Sequence, residues 1–306
     1  MATCCYCGFE DQSGDARFCS NCGNPLSSTE EIITVKNKEE LIHVIDNLTK
    51  TANLQHKRKL DLNCIDVSGL TDLSCVFRNI VFFNGDYDLS RWDVSNVTKM
   101  DQTFFGTNFN VDLSSWDVSN VRSMSEMFES SKGKITGLEK WDVSNVRNMD
   151  GMFSYSEFIG DLSKWNVSNV NSMKAMFKNS KFNSDISQWN VSNVEDMSEM
   201  FSESRFAGNI DNWDVSSVVD LSKMFYRNVR FRGDLRKWKL DNLVKIESFG
   251  IKRLPAGKTT INIEGWEDQL NLRNRINLDS IEDLKKLKNI VLISKIEPQV
   301  MPIEFD

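Results

Sequence analysis

Histidine, proline and long apolar runs are scarce in this sequence of 306 residues. Two histidines leave little basis for His-based catalysis or a His-rich metal site. Four prolines argue against a linker-rich or disordered chain. No apolar run approaches the roughly 18 residues that a membrane span needs, and the first nine residues are polar with no apolar signal core. We therefore predict an ordered cytoplasmic protein without a membrane span.

Five of the seven cysteines lie within the first 22 residues, four of them in two Cys-x2-Cys pairs that are each followed by glycine. Four thiolates at this spacing match a closed tetrahedral zinc site, which has no open position for catalysis. Two disulfides would need an exported protein. The segments CYCGF and FCSNCGNPL also resemble the short zinc ribbons at the N-termini of many bacterial proteins. We therefore predict one structural zinc ion, bound by Cys4, Cys7, Cys19 and Cys22.

Tryptophan is also abundant, and it recurs at a nearly fixed interval. Seven tryptophans are separated by 24 or 25 residues, at positions 92, 116, 141, 165, 189, 213 and 238. Each lies in a similar segment, such as WDVSNVRSMSEMF, and three of the seven copies are preceded by Phe-x-Gly-Asp. A period near 24 residues predicts a solenoid, in which each unit buries its apolar face against its neighbours.

The pattern inside one unit predicts a short strand followed by a short helix. Trp116 and Val118 alternate with polar Asp117, which is typical of a strand. Ser119 then occupies a helix N-cap position, and Val121, Met124, Met127 and Phe128 follow at helical spacing. The string Leu-x-x-Trp-x-Val-x-Asn is close to the leucine-rich repeat pattern. The predicted fold class is α/β, a leucine-rich-repeat-like solenoid of short strands and short helices.

The repeat sets the predicted domain boundaries. A degenerate first unit keeps every apolar position, with Ile65 in the tryptophan slot, and the period is lost beyond Phe249. Trp266 lies outside the period, so we expect it to be less coupled to the other tryptophans. The predicted parts are a zinc ribbon (1–26), a linker (27–32), an N-terminal capping helix (33–61), the solenoid (62–250) and a C-terminal cap (251–306).

With these residues in view, the chain resembles the BspA-like leucine-rich repeat proteins of bacteria, whose unit reads W-D-V-S-N-V-x-x-M-x-x-M-F. The resemblance covers roughly residues 33–250. It implies a non-enzymatic surface that binds other macromolecules, and many relatives are cell-surface adhesins.

Two polar positions of the unit recur with little variation. The residue after each tryptophan is Asp93, Asp117, Asp142, Asn166, Asn190, Asp214 or Lys239. These side chains either form a stripe for a cation or basic partner, or bond the local turn, and the pattern favours the turn. Asn120, Asn145, Asn169 and Asn193 are expected to form a buried amide ladder.

The candidate partner-binding residues vary between units or cluster by charge. The residue before each tryptophan differs from copy to copy, as a recognition surface would; this set includes Arg91, Lys140, Lys164, Gln188 and Lys237. Residues 223–258 contain eleven basic side chains, among them Arg230, Arg232, Arg236 and Lys239. This basic end could contact nucleic acid, an acidic protein or a membrane surface, or it could pair with the acidic centre of the chain.

No nucleophile–base pair or open metal site is visible, so the sequence favours a non-enzymatic protein without a small-molecule substrate. The leading hypothesis is an intracellular binding or sensor protein that presents its repeat surface to a protein partner. Two alternatives remain. One is an exported adhesin, and the other is a nucleic-acid-associated protein that uses the zinc ribbon and the basic end.

Overall fold

The structure is a computed structural model of the 306-residue chain. It describes residues 2–3, 10–11, 32–54, 56, 58–78, 80, 85–250, 263 and 266. The four cysteines predicted to bind zinc lie outside the described residues, as do nearly all of the predicted linker and nearly all of the predicted C-terminal cap. Within this part of the chain, no helix has both the length and the apolar character that crossing a bilayer requires.

The described strands are short, and most of them pair in parallel. The elements in chain order are β1 (Ala2–Thr3), β2 (Glu10–Asp11), β3 (Ile33–Thr34), α1 (Lys38–Leu54), β4 (Lys59–Asp61), β5 (Ile65–Asp66), β6 (Asp86–Asp88), β7 (Asn110–Asp112) and β8 (Ile135–Thr136). Two 3₁₀ turns follow at Leu138–Lys140 and Leu235–Lys237. The fold is therefore mixed α/β, with short strands, few helices and a repeated unit.

Strands β4, β6, β7 and β8 form one four-stranded parallel sheet. In each strand the central or first residue points into the core. These residues are partners in the register: Leu60 pairs with Tyr87, Tyr87 with Val111, and Val111 with Ile135. A single unit contributes one strand, and hydrogen bonds to the next unit complete the ladder. Successive units therefore lie side by side, and we call this arrangement the repeat stack.

The strand predicted at Trp-x-Val is wrong in the repeating units. Two tight turns occupy that segment, because the amide of Trp116 donates to the carbonyl of Leu113 (3.2 Å) and the amide of Val121 donates to that of Val118 (2.9 Å). Side chains alternate between core and solvent in these turns as they do in a strand, so alternation alone could not separate the two structures. Strands β6, β7 and β8 lie a few residues earlier, before the leucine that opens each of their units.

The short helix predicted in each unit is also wrong. The amides of Met124, Glu126 and Phe128 donate to carbonyls of the next unit, at 3.0, 2.7 and 2.9 Å. The intervening amide of Met127 closes a turn by donating to the carbonyl of Met124 at 3.3 Å. Every second amide is therefore used between units, which leaves no continuous helical ladder. Tight turns place a side chain in the core every three to four residues, which is also the spacing of an amphipathic helix.

Left-handed residues make this turn possible. Glu126 has a φ of 53° and Ser130 a φ of 58°, four residues apart, and equivalent positions in other units are also left-handed. A right-handed helix cannot contain such residues. The first of these positions is occupied by Gln102, Glu126, Gly151, Ala175, Glu199, Lys223 and Ser248 in successive units. The sequence gives no warning of this conformation, because only one of these seven residues is glycine.

The core of the repeat stack consists of aligned aromatic columns. Phe177 lies between Phe153 and Phe201, with ring centroids 5.7 and 5.8 Å apart and the planes within 3°. In a second column Trp165 stacks on Trp189 at 6.5 Å. The indole N–H of Trp165 donates to the carbonyl of Leu138 in the preceding unit at 2.8 Å. The neighbouring units thus contribute to the burial of these rings.

Helix α1 covers the first unit of the stack. It begins after Asn37, whose side-chain oxygen accepts a hydrogen bond from the amide of Glu40 at 2.9 Å, as an N-cap residue does. Its buried face contains Leu41, Ile45, Leu48 and Ala52. Ile33, which sequence analysis placed in this helix, instead lies in β3 and pairs with Ile65 of β5.

The expectation that Trp266 is less coupled to the other tryptophans is contradicted by the structure. Trp266 is fully buried, and its ring lies 6.0 Å from Trp238 at an interplanar angle of 20°. Its indole N–H donates to the carbonyl of Leu235 at 2.9 Å, the same bond that the other tryptophans form. Ile263 and Trp266 repeat the Leu-x-x-Trp spacing, but 28 residues separate Trp266 from Trp238. Because this interval is longer than the usual 24 or 25 residues, the sequence period did not reveal the additional unit.

Candidate partner-binding surface

The exposed side of the Trp-to-Asn segment forms a continuous face across the units. Because equivalent residues of neighbouring units lie side by side, each position in the segment becomes a row along the repeat stack. We name four rows by position. The pre-Trp row precedes each tryptophan, the Asp row follows it, the Asn row lies four residues after each tryptophan, and the Arg row lies two residues further.

The structure brings the predicted partner-binding residues of the pre-Trp row together on this face. Their side chains are all exposed: Arg91, Lys140, Lys164, Gln188 and Lys237. The Lys237 ammonium donates to the side-chain oxygen of Asn212, the row member of the preceding unit, at 3.3 Å. The row therefore changes in charge and size from unit to unit while its backbone stays in register.

The prediction that the Asp row bonds the local turn is confirmed. Asp117 and Asp142 each accept a hydrogen bond from the serine amide two residues later, both at 3.0 Å. Asp93 accepts bonds from both the hydroxyl (2.6 Å) and the amide (3.0 Å) of Ser95. These bonds hold the pKa of Asp93 below its ordinary value, first through the hydroxyl and then through the amide. The bond from the amide of Ser119 to the carboxylate of Asp117 also shows that Asp117, rather than Ser119, caps this turn.

The Asn row forms an amide ladder, but the expectation that it is buried is wrong. The side-chain amide of Asn120 donates to the carbonyl of Ser95 at 2.8 Å, and that of Asn145 donates to the carbonyl of Ser119 at 2.7 Å. Both asparagines are exposed. The carbonyls belong to the preceding unit, so the ladder ties neighbouring units together on the surface while the apolar columns fill the interior.

One rung of this ladder is missing, and restoring it should stabilise the protein. Ser217 occupies the Asn position, so no amide of this row reaches the carbonyl of Ser192. We expect Ser217→Asn to raise the free energy of unfolding by about 0.5–1 kcal/mol, the usual net value of one hydrogen bond. Urea unfolding at neutral pH measures the change. Ser217→Ala provides the control, and an equal gain in that variant would exclude the ladder as the cause.

The basic end is partly neutralised by the preceding units. Lys223 lies 4.0 Å from Glu199, Arg227 lies 3.9 Å from Glu203, and Lys245 lies 3.9 Å from Asp220. Of the predicted contact residues, Arg236 pairs with Asp234 at 2.6 Å and Arg232 donates to the carbonyl of Phe231 at 2.7 Å. Arg230 and Lys239 are exposed. Lys252, Arg253 and Lys258 lie outside the described residues.

The Arg row was missed by sequence reasoning. It consists of Thr98, Arg122, Arg147, Asn171, Glu195, Val219 and Val244. The backbone of this row is a continuous ladder, since the amide of Arg147 donates to the carbonyl of Arg122 at 2.9 Å and the amide of Asn171 donates to that of Arg147 at 2.8 Å. The signal was available, because this position varies as much as the pre-Trp row does.

A groove of 430 Å³ runs along the Asn and Arg rows over three units. It is lined by Asn96, Thr98, Asn120, Arg122, Asn145 and Arg147. The asparagine N–H groups that bond the preceding units leave their side-chain oxygens as acceptors beside two guanidinium groups. The groove therefore offers positive charge and hydrogen-bond acceptors next to each other.

Among the residues that the structure describes, no three His, Cys, Asp or Glu side chains form a group that could hold a metal ion. The predicted zinc ligands fall outside that set, so the zinc site stays a prediction. Strands β1 and β2, which are described, pair antiparallel on either side of Cys4 and Cys7 in the sequence.

A family model matches the chain over most of its length. The family model described as "Mycoplasma protein of unknown function, DUF285" matches residues 46–158, 129–238 and 154–266. The three overlapping matches run together from residue 46 to residue 266, well over half of the chain, and the last of them ends at Trp266. No curated protein and no solved structure matches the chain.

Proposed function

The chain belongs to the DUF285 family of repeat proteins, and we propose that it is a non-enzymatic solenoid that recognises a protein partner through the exposed face of its Trp-to-Asn segments. The observation that carries this proposal is the contrast between rows. The side chains of the Asp and Asn rows form hydrogen bonds within the fold. The residue types of the pre-Trp and Arg rows vary between units, and their side chains project from the same rigid backbone. Such an arrangement supports recognition, because side chains can change without altering the frame that holds them.

The proposal places the protein in the cytoplasm. Within the described residues, neither Cys64 nor Cys75 forms a disulfide, which is compatible with a reducing compartment. Cell fractionation tests this location. Recovery of the protein mainly at the cell surface or in the medium would instead support the exported adhesin suggested by the resemblance to BspA-like proteins.

Affinity capture with paired variants tests the recognition surface. Lys140→Ala with Lys164→Ala removes two positive charges from the pre-Trp row, and Lys132→Ala with Arg205→Ala removes two from exposed positions elsewhere. We expect a protein retained by the wild-type chain to be retained by the second variant and reduced at least tenfold by the first. Equal retention by both variants would show that the pre-Trp row does not bind the partner.

Nucleic acid is the competing ligand for the basic end. The ion pairs of Lys223, Arg227, Arg236 and Lys245 reduce the charge available there, so the structure favours a protein partner. Binding to a duplex oligonucleotide that falls steeply between 50 and 200 mM salt would support the competing function.

We propose in addition that the N-terminal segment is a zinc ribbon that supplies a second contact. The antiparallel pairing of β1 and β2 around the first Cys-x2-Cys pair supports this proposal, because a short hairpin can present two thiolates to one metal ion. Zinc would act as a structural ion only, since four thiolates leave no open position.

Elemental analysis should find about one zinc ion per chain, and Cys19→Ser with Cys22→Ser should abolish it. We expect the same variant to keep the unfolding midpoint of the repeats, because the four cysteines all precede the repeats in the sequence. Loss of the repeat fold on chelation would contradict this independence. Cys64→Ser is the control substitution outside the predicted site.

A further inference from the structure

Within the described residues, the two arginines of the groove have no acidic partner, unlike several other charges of the repeat stack. Several charges in adjacent units meet as opposites: Lys181 lies 3.0 Å from Glu157, Arg227 lies 3.9 Å from Glu203, and Lys178 pairs with Glu199. Arg122 and Arg147 are like charges in adjacent units, and within the described residues neither guanidinium forms an ion pair. Like charges placed side by side on neighbouring strands destabilise a fold, so stability does not explain this pair.

The surroundings of the arginines favour an anionic ligand with peptide chemistry. The Asn96, Asn120 and Asn145 amides are fixed by bonds to carbonyls of the preceding units, at 2.9, 2.8 and 2.7 Å. Because these N–H groups are bonded within the fold, the side-chain oxygens remain as hydrogen-bond acceptors on asparagines that line the groove. A peptide backbone supplies N–H donors for such oxygens, whereas a phosphodiester backbone supplies none.

The Asp row also distinguishes between two kinds of anionic ligand, a long polyanion and a short acidic segment. Asp93, Asp117 and Asp142 are exposed on the same face, three residues before the asparagines. A long polyanion, such as a nucleic-acid strand, that extended beyond the groove over the Asp row would meet these carboxylates and be repelled. A short acidic segment can place carboxylates at the arginines alone.

The dimensions agree with a short extended segment. Adjacent units are about 4.8 Å apart, so the three units of the groove span roughly 10 Å, which corresponds to about three extended residues at ~3.3 Å each. Side chains two residues apart on one face of such a segment are separated by roughly 7 Å. Two arginine side chains from adjacent units can reach two acidic side chains at this separation, and each arginine can form a bidentate pair with one carboxylate.

We propose that this groove binds an extended acidic peptide segment of the partner protein, with Arg122 and Arg147 each holding a carboxylate. The inference rests on the proposed recognition function and names the chemistry of the ligand. The inference also predicts that the acidic segment binds at the units of the groove and not further along the stack. In the following units the Arg row consists of Asn171, Glu195 and Val219.

Fluorescence anisotropy with a labelled hexaglutamate peptide tests the proposal on the full chain at 50 mM salt. We expect Arg122→Gln with Arg147→Gln to weaken binding at least tenfold, and Arg205→Gln, an exposed arginine outside the groove, to change it less than twofold. Hexaglutamine should not bind. Arg147→Lys should weaken binding, because an ammonium ion cannot form the bidentate pair.

Several results would overturn the proposal. They are equal affinity of the wild-type chain and the double variant, equal binding of hexaglutamine, or tighter binding of a twelve-residue oligothymidylate that is lost in the same variant. Urea unfolding confirms that the double variant is folded, as expected for exposed side chains without ion pairs. If hexaglutamate does not bind while the Lys140 and Lys164 substitutions still abolish partner capture, the groove assignment fails and the recognition function stands.

Discussion

Trp165→Ala should destabilise the protein by about 3–5 kcal/mol, the range for removing a large buried aromatic ring. The side chain is only 4% exposed, stacks on Trp189 and lies 6.3 Å from Phe153. Because an ordinary domain has a total stability of about 5–15 kcal/mol, the loss is severe. Urea unfolding measures it, provided that the wild-type transition is fitted under the same conditions.

The damage should also be local. Each unit of a repeat stack is stabilised mainly by its two neighbours, so amides from about residue 141 to residue 189 should lose hydrogen-exchange protection before those near either end. Trp165→Phe is the control, because it keeps an aromatic ring but removes the indole bond to the carbonyl of Leu138. We expect it to cost about 1–3 kcal/mol. Uniform loss of protection along the chain would mean a single cooperative core.

Trp266→Ala should have an effect of similar size but confined to one end. Its ring covers Trp238 and lies 5.3 Å from Phe249, so the substitution exposes the last two columns of the repeat stack. We expect the free energy of local opening around residues 238–249 to fall by about 3 kcal/mol, while protection near residues 141–189 stays unchanged.

Hydrogen exchange read at the two ends separates this result from general destabilisation. Trp92→Ala serves as a comparison, since Trp92 is near the opposite end, is also buried and bonds the carbonyl of Leu62 at 2.9 Å. Unchanged protection at residues 238–249 in the Trp266 variant would show that this ring does not cap the stack. Protection lost throughout the chain would show that the end is not separable from the centre.

The candidate surface was only partly visible in the sequence. The pre-Trp row could be found because it varies beside an unchanging tryptophan, and the turn-bonding role of the Asp row followed from the local chemistry of aspartate followed by serine. The Arg row varies to the same degree, but its importance depends on what its neighbours do. Whether two arginines are paired or unpaired is a property of side chains one unit apart, and it could be read only once the register between units was known.

The sequence by itself determined the period, the apolar positions and the identity of the buried rings, because burial of a repeated face requires the same residue at the same place in every unit. It did not determine the conformation between those positions. Spacings of two and of three to four residues are shared by strands, helices and tight turns, and the choice was made by hydrogen bonds to the next unit, which use every second amide and leave residues such as Glu126 left-handed. The same tertiary contacts placed Trp266 on the tryptophan column despite its longer interval, since stacking on Trp238 depends on where the chain returns in space and not on how many residues it takes to return.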